Sequence, residues 1–214
     1  MKIIVSDIEG TLTTGSSWKG LRTFYKDHYS PWIYNLFFAR WIPRYLLVGM
    51  GMMSRKAAMV DWMLDEIKLF KGFSKDKFKQ MAEWVVDQEM WEKRRVDVVQ
   101  ELENARKDGI KIAVVSGAYQ PIVDSFAEKL DAIPVGSPLV YQDERVVGVQ
   151  LPINSYEQKV QSIKEIAGEG EILAAYGDSL SDLPMLAMSQ EPVAVYPGKQ
   201  LRMVAKERGW RIIE

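Results

Sequence analysis

The 214-residue chain is 47% hydrophobic and 27% charged, contains no cysteine and carries a formal net charge of −1. That composition is globular; it excludes dominant disorder, disulfides and zinc–cysteine sites, and it offers no global field for nucleic acid, so no nucleic-acid partner is expected. The start of the chain lacks a basic segment followed by an apolar run, so no signal peptide is expected, and the missing cysteines fit a reducing compartment, giving an expected cytoplasmic location.

The opening KIIVSD (2–7) is short, apolar and β-branched, and reads as a strand. Residues 15–92 then break the strand–helix rhythm. They hold most of the tryptophans, many methionines and no convincing strand, so they read as an all-helical insert. Within it, SPWIYNLFFARWIPRYLLVGMGMM (30–53) is long enough to span a bilayer. Arg40, Pro43 and Arg44 interrupt its middle, where charge is costly. Two helices packed on each other are therefore expected, and a lid for a lipid-like substrate is the sharper alternative. GFSKDKFKQMAEWVVDQEMWEK (72–93) is amphipathic, with Ser74 as a natural N-cap.

Beyond the insert the alternation resumes. VDVVQELENARKDG (96–109) reads as a helix and KIAVVSG (111–117) as a strand, followed by a helix over 119–130. PLVYQDERVVGVQL (138–151) has the polar centre and β-rich arms of a hairpin. A helix over 155–168, capped by Ser155 with Gln158 three residues on, precedes a strand at 172–178. A strand at 192–197 and a helix at 199–209 complete the pattern. The expected fold class is α/β, a doubly wound parallel sheet buried on both faces. Residues 1–14 and 93–214 form its core, and 15–92 form a helical cap.

In an open parallel sheet, ligands bind beyond the carboxyl ends of the strands. Three such ends carry polar residues: Asp7 and Glu9, then Ser116-Gly117, then Gly177-Asp178-Ser179-Leu180-Ser181-Asp182. Carboxylates from two strand ends suit Mg²⁺, a hard cation that prefers oxygen ligands. A carboxylate beside bound Mg²⁺ can also attack phosphorus, giving an aspartyl-phosphate. Each piece alone has a plainer reading. DIEGT is also a solvated turn, Ser116-Gly117 a strand-to-helix turn, GDSLSD a helix cap, and Lys159 a solvated charge.

Taken together, SDIEGTLT, VVSGA, Lys159 in YEQKV and YGDSLSDLPML resemble the four motifs of the haloacid-dehalogenase-like hydrolases. The insert after the first motif resembles the helical cap of the phosphoserine-phosphatase-like branch on a Rossmann-like core. The resemblance implies a Mg²⁺-dependent phosphatase acting on a small organic phosphate monoester through an aspartyl-phosphate. By that resemblance Asp7 is nucleophile and metal ligand, and Glu9 is general acid/base with its carbonyl on the metal. Asp178 is the second carboxylate ligand. Gly10, Ser116, Gly117 and Lys159 hold the phosphoryl group, and Asp182 orients Lys159 or a metal-bound water.

One departure is Glu9, where most family phosphatases carry Asp; enolase-phosphatases share the DxEGT pattern. Candidate substrate readers in the cap are Trp18, Lys19, Arg22, Arg40, Arg44 and Arg55, and His28 is given no role. Residues 10–26 contain no acid, unlike the family's serine-specific enzymes, and the aromatic, Met-rich cap favours a bulkier or more apolar phosphate. The alternative reading is a non-catalytic phospholigand-binding or membrane-associated protein on the same fold. Dehalogenation is not expected, because the family's dehalogenases lack the second acid.

Overall fold

The structure, a computed structural model, describes residues 2–214. Its centre is a parallel sheet built from β1 (Lys2–Ser6), β2 (Lys111–Tyr119), β3 (Ile133–Ser137), β6 (Glu171–Gly177), β7 (Glu191–Val195) and β8 (Arg211–Ile213). The strand order is β3-β2-β1-β6-β7-β8, with every pairing parallel. The expected hairpin forms apart from it, as antiparallel β4 (Leu139–Gln142) and β5 (Arg145–Val149). The fold class is the α/β, Rossmann-like one read from the sequence.

Side-chain alternation explains why both faces are covered. Ile3, Val5, Ala113 and Val115 point to one face and pack with Ile163 of α7 (Glu157–Ala167), Met185 of α8 (Leu183–Leu186) and Leu201 of α9 (Lys199–Glu207). Ile4, Ile112, Val114 and Val193 point to the other. There they meet Val98 and Leu102 of α5 (Val96–Lys107) and Ile122 and Phe126 of α6 (Gln120–Glu128). Each such aliphatic contributes about 1.5–3 kcal/mol when fully buried. From β1 the chain runs to β2 and β3 on one side, while β6 to β8 lie on the other. The crevice above the carboxyl ends of β1 and β6 is thus the topological switch point.

Between β1 and α5 lie α1 (Ser17–His28), α2 (Pro31–Gly49), α3 (Arg55–Glu66) and α4 (Lys75–Val85). Their buried side chains, among them Leu21, Tyr34, Phe37, Met63 and Phe78, are continuous with the second face of the sheet. Ser74 caps α4 as expected, accepting from the Lys77 amide at 3.2 Å.

Several expectations require correction. The stretch 30–53 is one helix and a turn, not two helices packed together. Proline inside a helix costs about 3 kcal/mol, but tertiary contacts hold α2 on both sides of Pro43. Phe37 and Trp41 pack on Trp62 at 4.9 and 5.3 Å between ring centres, and Arg44 reaches Asp65 at 3.3 Å. The amphipathic stretch 72–93 is helical as expected, with α4 widening into a π turn over Val86–Trp91. Ser155 makes no side-chain cap for α7, whose N-cap position is Tyr156 with φ +51°. The strands β3 and β8 were not anticipated. Pro134 and Gly136 argue against a strand, yet β3 is a sheet edge where proline is tolerated, and β8 spans only three residues.

Candidate active site

The sharp turn after β1 carries the first two acids. Asp7 donates its amide to Tyr176 O at 3.0 Å, which pins the start of the turn against β6. Gly10 sits at φ +88°, a conformation that favours glycine. A Cβ there would lie 2.3 Å from Asp178 Oδ2, so the missing side chain is what lets the β1 turn and the β6 end approach. Gly177 plays the same part beneath Asp182, whose Cβ would be 2.5 Å from an added methyl.

The four sequence-distant stretches meet in this crevice. Lys159, from the first turn of α7, places Nζ 2.6 Å from Asp7 Oδ1 and 2.7 Å from Asp182 Oδ1. Its side chain is only 4% exposed, beside 10% for Asp7 and 1% for Asp182. Oxygens of Asp7, Asp178 and Asp182 all lie within 4.8 Å of one another. Asp182 is committed twice: its second oxygen accepts from the Ser179 amide at 3.2 Å and hydroxyl at 3.0 Å. Asp7 has Lys159 on one oxygen and a longer contact from Thr11 Oγ1, at 3.3 Å, on the other, while the Asp178 carboxylate takes no hydrogen bond from another side chain among the described residues.

Burial pushes the Asp7 carboxyl up to about 8, against the pull of Lys159, with Asp182 and Asp178 adding to the rise. Burial and the Asp182 charge likewise raise Asp178, to about 6. For Lys159 burial works against the ammonium, but Asp182 and Asp7 outweigh it and hold its pKa above the ordinary lysine value. Three carboxylates therefore share one ammonium in a largely buried crevice. A hard divalent cation such as Mg²⁺ fits this oxygen-only, charge-deficient set.

The other residues singled out from sequence fall nearby or elsewhere. The carboxylate of Glu9 turns to the start of α1, where it accepts from Ser16 Oγ at 3.0 Å, the Ser17 amide at 3.1 Å and the Ser17 hydroxyl. Ser116 is buried within β2, three residues before its last residue Tyr119, and its Oγ accepts from the Ala118 amide at 3.2 Å. A Cβ on Gly117 would meet Asn154 O at 3.7 Å and Met59 Cε of α3 at 3.9 Å, so this part of β2 lies beside the helical segment. The Gly10 amide is engaged with Thr13 O at 2.8 Å. Trp18 stacks on Phe38 and Arg22 lies over the same ring, while Lys19, Arg40, Arg44 and Arg55 are exposed. His28 is exposed and stacks on Phe24.

Sequence reasoning overlooked three supports. Thr11 Oγ1 donates to Asp7 Oδ2 at 3.3 Å. Arg95 Nε holds Gly10 O at 3.1 Å. Asn154 is 2% exposed, and its amide donates to Ser116 O at 3.0 Å and Val135 O at 2.9 Å, tying the β2 end to the loop before α7. Thr11 was visible in the DIEGT turn; Arg95 and Asn154 carry no local signature, because their partners are distant in the chain.

Comparison with known proteins adds an independent line. A stretch of the chain is 34% identical over 111 residues to a probable phosphatase of Mycobacterium tuberculosis, covering 49% of this chain and 38% of that protein. The chain thus spans well under half the length of this relative. A Bordetella pertussis protein of unknown function superposes with a TM-score of 0.83 at 20% identity, over 100% of this chain and 98% of that one. A phosphoserine phosphatase of T. onnurineus superposes at 0.59 and 19% identity, over 100% and 88%. These two likenesses show the fold. The profile of the haloacid dehalogenase-like hydrolases matches residues 4–187, and the chain belongs to that family.

Proposed function

We propose that the protein is a Mg²⁺-dependent phosphatase that hydrolyses a small organic phosphate monoester through an aspartyl-phosphate on Asp7. The observation that carries this reading is the Lys159 bridge between Asp7 and Asp182, with Asp178 within coordination reach, at the carboxyl ends of β1 and β6. The mycobacterial relative, named as a probable phosphatase, supports the same reaction class.

Asp7 and Asp178, with the Glu9 carbonyl, would hold the metal, which when bound neutralises phosphoryl charge and draws the two carboxylates together. An Asp7 oxygen attacks phosphorus while the bond to the leaving alkoxide breaks. Glu9 gives its proton to that alkoxide, then takes one from the water that attacks the acyl phosphate, so Asp7 is restored and inorganic phosphate leaves. Lys159 stays protonated beside Asp7 and offsets the developing charge, and Asp182 keeps it there. Ser116 and Gly117 orient the phosphoryl oxygens. Glu9 is anchored by Ser16 and Ser17 at the start of α1, so movement of residues 15–92 as a cap would move the acid with it.

The experiment is turnover of p-nitrophenyl phosphate with Mg²⁺ by the wild-type protein and Asp7→Asn. Loss of at least about a thousandfold in kcat is expected for removal of a nucleophile. Equal turnover would overturn the assignment.

A further inference from the structure

Helix α2 is apolar on two opposite faces. Tyr34, Phe37 and Trp41 turn inward and are buried. At 100° per residue, Trp32, Leu36, Pro43, Leu46 and Met50 lie on the opposite side, and the structure leaves that side uncovered: Trp32 is 81% exposed, Leu36 67%, Leu46 60% and Met50 71%. Monomeric proteins rarely present a contiguous apolar strip of this kind to water, so it calls for a partner.

Charge identifies the partner. Residues 28–60 contain no Asp or Glu, yet carry Arg40, Arg44, Arg55 and Lys56 in a chain whose net charge is −1. All four are exposed. Arg44 is tied to Asp65 and Lys56 to Glu157, but Arg40 and Arg55 form no ion pair among the described residues. Exposed Trp and Leu side chains flanked by arginine, in a stretch that itself holds no acid, match an anionic lipid surface. A spanning role is not open to α2: no helix of the described residues is long and apolar enough to cross a membrane.

We infer that the outer face of α2 lies in the interface of an anionic membrane, with Trp32, Leu36, Leu46 and Met50 inserted and Arg40 and Arg55 at the headgroups. This stands apart from the catalytic reading, because it needs no turnover.

The test is co-sedimentation of the full chain with phosphatidylcholine vesicles and with vesicles that also contain phosphatidylglycerol. Binding to the anionic vesicles, weakened by added salt, is expected. The triple variant Trp32→Ser, Leu36→Ser, Leu46→Ser should partition at least about a hundredfold less, and Arg40→Gln about fivefold less. Turnover of p-nitrophenyl phosphate in the same samples should be unchanged in the triple variant, which shows that it is folded and separates docking from catalysis. The inference is overturned if neither vesicle sediments the protein, or if the triple variant binds as the wild type does. It is equally overturned if light scattering finds a dimer that the triple variant dissociates while vesicles stay unbound, which would make this face an interface between copies.

Discussion

The crevice over β1 and β6 and the outer face of α2 solve opposite problems. In the crevice, charges that would be costly to bury are answered from within the chain: Lys159 meets Asp7 and Asp182, and Asp182 also meets Ser179. On α2, apolar side chains that would gain from burial are left in water. On the reading proposed above, the first region awaits a small guest and the second a large neighbour.

The comparison breaks most decisively at Lys159. Lys159→Ala leaves two buried carboxylates without a cation, and a cost of about 3–5 kcal/mol is expected in urea denaturation, together with loss of phosphatase turnover. A Lys159→Ala protein as stable as the wild type would mean that the crevice is wetter than its packing indicates. Gly10→Ala comes next. The new Cβ falls on Asp178 and the backbone conformation disfavours it, so a loss of about 1–3 kcal/mol is expected, with weaker Mg²⁺ binding by calorimetry. Unchanged metal affinity would show that Asp178 need not approach the β1 turn.

A third test sharpens the contrast within the helical segment. Glu66 of α3 is 2% exposed and accepts hydrogen bonds from Tyr34 of α2 and from Tyr119, the last residue of β2. Burial pushes its carboxyl up to about 7, and those bonds oppose the rise only in part. An unfolded glutamate titrates near about 4.3. The folded state therefore holds the proton more tightly, and the stability this group contributes is complete below the unfolded pKa and lost as pH rises through about 7. Against Glu66→Gln, the wild type should lose stability between about pH 4 and about pH 7. Parallel urea midpoints for the two proteins would contradict this.

Much of the fold was legible because it rests on local patterns. The β-branched runs at 2–7 and 111–117 are too apolar to be anything but buried strands, and their polar ends mark the crevice. The acids of DIEGT and GDSLSD could be read as neighbours only through the parallel sheet, which places like strand ends on one rim. What stayed hidden depends on contacts across the chain. The strand β3, with Pro134 and Gly136 inside it, has no strand pattern of its own and forms at the sheet edge against β2. Pro43 looked like a helix end until Trp62 and Asp65 were seen to hold both sides of it. Asn154 gives no local sign that it binds Ser116 O, thirty-eight residues away in sequence.

The most direct test of the central claim is to catch the phosphoryl group on the protein. The wild-type protein, mixed with substrate and Mg²⁺, is quenched in acid within one turnover and reduced with borohydride, which converts an aspartyl-phosphate to homoserine. Peptide mass spectrometry should then find homoserine at position 7 and at no other aspartate. Steady turnover with Asp7 unmodified, or homoserine at Asp178 instead, would contradict the account.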